Sequence, residues 1–144
     1  NCRFGDPETQ PIMMRLKSDL VSLCQSALDK TLDKQATEWD DRAAVGVVLA
    51  AGGYPADYEK GHIISGLDSE LNNNISSKIF HAGTKLKDGN VVSSGGRVLC
   101  ATALGNSVQE AQQLAYALVK DINWAGSFYR NDIAYRAVER EQKQ

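Results

Sequence analysis

Cysteine is scarce in this chain, with only Cys2, Cys24 and Cys100. An odd count at that spacing builds neither a disulfide framework nor a zinc site. Cys24 and Cys100 lie in apolar runs and are expected to be small core residues. Unpaired thiols point to a reducing compartment, hence the cytoplasm. The two histidines, His62 and His81, stand apart from any carboxylate or cysteine at metal-ligand spacing, so structural roles are expected for both. No apolar run is long enough to span a bilayer, and nothing resembles a secretory signal. Charge is nearly balanced, with 16 Lys and Arg against 18 Asp and Glu, and a pI of about 5.7. That excludes the broad basic field of a nucleic-acid or membrane-surface protein. It leaves room for a local basic site that takes a phosphate. No internal repeat is visible, and no glycine-rich phosphate loop.

What remains is a globular composition: 144 residues, 42% hydrophobic and 24% charged. The length suits one ordinary domain, or a small domain plus a piece of another. A chain that opens at Asn1 rather than Met is expected to be processed or cut from something longer.

Ile12, Leu16, Leu20, Leu23 and Ala27 recur at three- and four-residue steps, which is helix spacing. Thr9 is the expected N-cap, with Pro11 in the first turn. A break near 17–19 with a restart capped by Ser18 is the refinement of that reading. The charged stretch 29–41 predicts a helix end and a connection, with a module boundary near 36–41. "AAVGVVLAAGGYP" at 43–55 predicts a buried strand stopped by a turn. "HIISGL" (62–67) predicts a short strand, and 68–77 a polar loop. The runs 78–86 and 90–96 flank Asp88-Gly89, a hairpin signal. "RVLCATALG" (97–105) predicts another strand. Ser107, with Glu110 three residues on, predicts a capping box opening a long amphipathic helix. Residues 127–138 predict a loop followed by a short strand or turn, and "EREQKQ" a solvated tail. Arg130 and Asp132 are expected to pair, and Trp39 and Trp124 to serve as core or inter-domain contacts. The sum is an α+β chain of mostly antiparallel strands with one long helix.

The segments "NCRFGDPETQPIMMRL", "GVVLAAGGYP", "FHAGTKL", "SGGRVLCATALG" and "FYRNDIAYRAV" together resemble the phosphoribosylamine–glycine ligase family. The resemblance runs through nearly the whole chain, and "RFGDPE" carries most of its specificity. It implies the C-terminal part of a longer ATP-grasp enzyme. Residues 1–36 would be the end of the ATP-grasp domain, and 37–144 the C-terminal α+β domain. It implies ligation of glycine to 5-phosphoribosylamine at the expense of ATP, through a glycyl phosphate, in the second step of purine synthesis. Mg²⁺ or Mn²⁺ would assist, and the remaining domains of the same polypeptide would be its partner. Asn1 would match the family's metal-binding Asn, leaving its acidic co-ligand outside this chain.

The residue chemistry can be read alongside. Arg3 offers a planar fork for a carboxylate or a developing acyl phosphate. Gly5 lets the backbone turn with no side chain in the way. Asp6 could receive the glycine ammonium or the ribosylamine, and Glu8 could orient Arg3 or contact substrate. Gly95 and Gly96 could expose N–H groups, with Arg97 beside them, to an anionic phosphate. Arg97 would touch the ribose 5-phosphate or help close the cleft. Taken singly these features have plainer readings. "RFGDPET" is a turn ahead of a helix, and "GGYP" and "SGGR" are strand-end turns. His81, within "FHAGT", could stand at a site edge, and Tyr58 or Lys60 could pack on a nucleotide. A non-catalytic binding module of the same fold is the competing reading, and the related carboxylases of purine synthesis a weaker one.

Overall fold

The computed structural model describes residues 3–68 and 75–143. Three antiparallel strands form the centre: β1 (Ala43–Ala50), β5 (Arg97–Gly105) and β2 (Ser77–His81), in the order β1-β5-β2. β5 is central because it is the most continuously apolar run; every residue from Val98 to Gly105 is buried. Alternate residues of the strands face opposite layers. Val45, Val47 and Leu49 of β1 and Leu99, Ala101 and Ala103 of β5 share one core cluster with α3 (Val108–Asp121). On the other face, Gly46 lies against Cys100, Thr102 and Pro11 of the short helix α1 (Thr9–Arg15).

The long helix starts as its capping pattern predicts. Ser107 accepts a hydrogen bond from the Glu110 N–H at 3.1 Å. The Glu110 carboxylate reaches back one residue further than in a standard box, accepting from the Asn106 N–H. The hairpin is also as read: β3 (Thr84–Lys87) pairs with β4 (Asn90–Ser93) across Asp88 and Gly89. Both turn residues have positive φ, +50° and +78°, the two-residue turn that matches strand twist.

Other expectations need correction. Residues 78–86 do not form one strand; Ala82 and Gly83 break them into β2 and β3, which belong to different sheets. Residues 62–67 make only isolated bridges, Ile63 to Val92 and Ser65 to Asn123. The cap of α2 (Leu20–Leu28) is Asp19, which accepts from the Val21 and Ser22 N–H groups; the Ser18 hydroxyl instead accepts from the Glu38 N–H. The polar loop read at 68–77 falls largely outside the described residues, and β2 opens at Ser77 within it. The C-terminal end is neither strand nor free tail. It forms α4 (Tyr135–Glu141), and Glu141 accepts from the Val108 and Gln109 N–H groups at the start of α3. A carboxylate there satisfies helix donors that have no partner within the helix.

The largest departure is α2. No residue of it is buried, and Val21 and Leu28 are 75% and 77% exposed. Its apolar spacing is real, but no layer among the described residues covers it. Cys24 is therefore exposed, against expectation, while Cys100 is buried. Burial also pushes the Cys100 thiol pKa up, away from the reactive thiolate. A thiol reagent is expected to label Cys24 in the native chain and to reach Cys100 only on unfolding, as peptide mass mapping would show. Labelling of both at equal rates would contradict this packing.

Candidate functional site

The segment before α1 folds back on itself. Gly5 O accepts hydrogen bonds from the Thr9 N–H and the Thr9 hydroxyl. Thr9 is thus the first helical residue rather than its cap. The Glu8 carboxylate lies over Gly5 so closely that a Cβ there would sit 2.0 Å from Glu Oε1. A side chain there would have to displace the Glu8 carboxylate.

This folded segment faces the start of β5. Arg97 donates from Nε to Asp6 Oδ2 at 2.9 Å, across 91 residues of chain. Gln10 donates from Nε2 to Asp6 Oδ1 at 3.0 Å. A carboxylate only accepts, so the Gln10 amide nitrogen must face it. Arg97 also donates from Nη1 to the Tyr54 hydroxyl at 3.0 Å and lies 5.9 Å from the Tyr54 ring centroid. The Asp6 hydrogen bond raises the already high pKa of the guanidinium, which stays charged. Asp6, Gln10 and Arg97 help wall an open cavity of about 510 Å³, lined also by Arg3, Gly5 and Glu8 among others. Arg3 is exposed and makes no ion pair among the described residues.

Of the residues singled out in the sequence, Arg3, Gly5, Asp6, Glu8 and Arg97 thus meet at one concavity. Gly95 and Gly96 do not line it. The Gly95 N–H already donates to Gly83 O, and its Cα packs on Gly83. Gly96 is buried against Tyr54, where a Cβ would fall 2.2 Å from the ring. Both glycines pack closely beside Arg97, and the Gly95 N–H is already engaged. Asn1 lies outside the described residues. His81 contacts the Thr84 hydroxyl, and His62 sits 3.2 Å from Glu59, in a smaller cleft of about 190 Å³. Sequence reading missed Tyr54 and Gln10; their only signal was membership of the "GGYP" and "ETQP" stretches.

The described residues do not fit a divalent metal. The cavity offers two carboxylates, and Asp6 is engaged by Arg97 and Gln10 on both oxygens. No cluster of three His, Cys, Asp or Glu residues suited to a metal ion occurs among the described residues. Among them, too, no helix is long and apolar enough to cross a membrane.

A family model, "Phosphoribosylglycinamide synthetase, C domain", matches residues 44–136. The chain belongs to this family. It is 65% identical over 144 residues to a phosphoribosylamine–glycine ligase of Vibrio vulnificus strain CMCP6. It is 61% identical over 142 residues to that of Pseudomonas putida. Each alignment covers 99% of this chain but only about a third of the relative. The crystal structure of a phosphoribosylamine–glycine ligase from Thermotoga maritima aligns with a TM-score of 0.71 at 36% identity, over 92% of this chain and 32% of that one. The α+β arrangement of antiparallel sheets and one long helix is thus shared with a solved synthetase.

One consequence of the Tyr54–Gly96 contact is testable in any member of the synthetase family that carries this segment. Gly96→Ala is expected to push the Tyr54 ring aside and destabilise by about 1–3 kcal/mol, as overpacking does. Urea unfolding would show it, and an unchanged midpoint would mean that the ring gives way freely.

Proposed function

We propose that this chain is the C-terminal part of a phosphoribosylamine–glycine ligase and supplies one wall of its active site. The observation that carries this is the Arg3–Asp6–Arg97 cavity in a chain of this family. On this reading residues 1–36 end the ATP-grasp core and residues 37–144 form the C-terminal domain. The complete cytoplasmic enzyme would couple ATP cleavage to joining glycine and 5-phosphoribosylamine through a glycyl phosphate.

Each residue then has a task its chemistry suits. Of the two arginines lining the cavity, Arg3 is the one that pairs with no carboxylate among the described residues, and it would hold the developing acyl phosphate through its planar fork. Arg97, clamped by Asp6 through Nε and by Tyr54 through Nη1, lines the cavity and would contact the phosphate of phosphoribosylamine. Asp6 keeps Arg97 in place and retains lone pairs for a substrate amine. Glu8 lies over Gly5 and lines the same cavity as Arg3. Gly95 and Gly96 act through packing, by letting Gly83 and Tyr54 approach. A Mg²⁺ or Mn²⁺ ion would supply charge neutralisation for the nucleotide phosphates, held outside the described residues. Asn1 would be one ligand, with the others and the grip on ATP coming from the remainder of the polypeptide. The apolar surface of α2, with Val21 and Leu28 exposed and Leu32 exposed in the turn that follows it, suits docking against that remainder.

The test is glycine- and phosphoribosylamine-dependent phosphate release. A full-length ligase containing this segment is expected to show it, and the present chain alone to show none. Turnover by this chain alone would overturn the division of labour. A full-length protein that releases no phosphate with both substrates and ATP present would favour a non-catalytic module.

A further inference from the structure

A second basic concavity lies away from the candidate site, on the α3 side of the sheet. It is an open cleft of about 470 Å³, lined by Arg130, Asp132, Tyr135, Arg136 and Arg140 among others. Three guanidinium groups meet one carboxylate there, in a chain whose overall charge is slightly negative.

The arginines are not loose. Arg130 donates from Nε to Asp132 Oδ1 at 2.8 Å and from Nη2 to Oδ2 at 2.6 Å. Arg136 donates from Nε to the Tyr135 hydroxyl at 3.0 Å, with its guanidinium 5.5 Å from that ring. Arg140 donates from Nε to Arg136 O at 3.2 Å. Each side chain is anchored through Nε. The Nη1 of Arg130 and both terminal nitrogens of Arg136 and Arg140 make no hydrogen bond or ion pair among the described residues. Anchoring reduces the rotamer entropy lost when a ligand binds, and the free fork matches tetrahedral oxyanions.

The backbone is bent to make this cleft. Ala134 has φ +66°, a left-handed conformation that costs an alanine about 1 kcal/mol or more. It turns the chain between Asp132 and α4, so that Arg130 lines the same hollow as Arg136 and Arg140. The Tyr116 hydroxyl fixes the turn by donating to Arg130 O and accepting from the Ile133 N–H.

We propose that this cleft binds the phosphate group of a small phosphorylated molecule, at a site separate from the Arg3–Asp6–Arg97 cavity. A concave hollow of this size falls within the range of small-molecule sites. An acidic protein segment would be better served by a flat or extended basic stripe. The proposal does not rest on the ligase reading.

The test is backbone NMR mapping of a full-length ligase carrying this segment, titrated separately with inorganic phosphate, ribose 5-phosphate and AMP. Shifts clustered at residues 130–140 with any of the three are expected. Which probe binds most tightly tells inorganic phosphate from a sugar or nucleotide phosphate. Arg136→Ala/Arg140→Ala is expected to weaken that binding by about tenfold or more, while Arg97→Ala leaves it unchanged. Raised salt should weaken it too. Shifts confined to residues 3–10 and 97, or absent from both regions, would overturn the proposal. So would tighter binding of a hexaglutamate peptide than of any phosphate.

Discussion

Arg97→Ala in a full-length ligase carrying this segment is expected to lower kcat/KM for ligation by about 10- to 100-fold. A charge-assisted hydrogen bond is worth about 1.5–3 kcal/mol, and each 1.4 kcal/mol is tenfold in rate. The loss should fall mainly on KM for phosphoribosylamine, since Arg97 is proposed to meet its phosphate. The fold should survive. The Arg97 side chain is 42% exposed, and ion pairs that exposed contribute little to stability. Asp6 would keep its Gln10 hydrogen bond and regain water on its other oxygen. Arg97→Lys keeps the charge but cannot hold Asp6 and Tyr54 together, so a partial rescue is expected. Unchanged affinity for phosphoribosylamine in Arg97→Ala would remove Arg97 from the substrate contacts.

The second large effect concerns the core. Leu99→Ala is expected to destabilise the chain by about 2–5 kcal/mol, the usual cost of a buried leucine deletion. Leu99 is 1% exposed at the middle of the sheet, opposite Leu49 on β1 and His81 on β2. Neighbours on both sides restrict collapse of the cavity left behind. Leu28→Ala removes the same side chain from α2, where it is 77% exposed. It should change stability by no more than about 0.5 kcal/mol. Urea unfolding of the two variants distinguishes them. Equal losses would mean that α2 is packed in a way the described contacts lack.

That contrast also marks what a single sequence can and cannot reveal. β1, β5 and α3 were legible because each buries a face on another element of this chain, so their apolar spacing has a local reason. The Asp88-Gly89 turn was legible because its positive φ values demand such residues. α2 shows the same apolar spacing, yet spacing does not say what covers a face. α4 was not legible. It is seven residues of largely charged sequence, and it is held by Glu141 on the start of α3. The break between β2 and β3 arises at Gly83, whose carbonyl accepts from both Ser94 and Gly95 N–H groups, a tertiary contact with no periodic trace. At the candidate site, Arg3, Asp6 and Glu8 come from one short motif, so their proximity needed no fold. Their meeting with Arg97 spans 91 residues, and the Tyr54 clamp follows only from the packing of Gly96.

The account's central claim is that the folded segment around Arg3 and Asp6 and the start of β5 form two walls of one anion-binding cleft. Its most direct measurement is a crystal structure of a full-length ligase carrying this segment, bound to a non-hydrolysable glycyl phosphate analogue. The analogue's phosphoryl oxygens are predicted to accept hydrogen bonds from Arg3, with Arg97 still held by Asp6 and Tyr54 alongside. An analogue bound elsewhere, with Arg3 in open solvent and the Asp6–Arg97 pair far from any ligand atom, would contradict it.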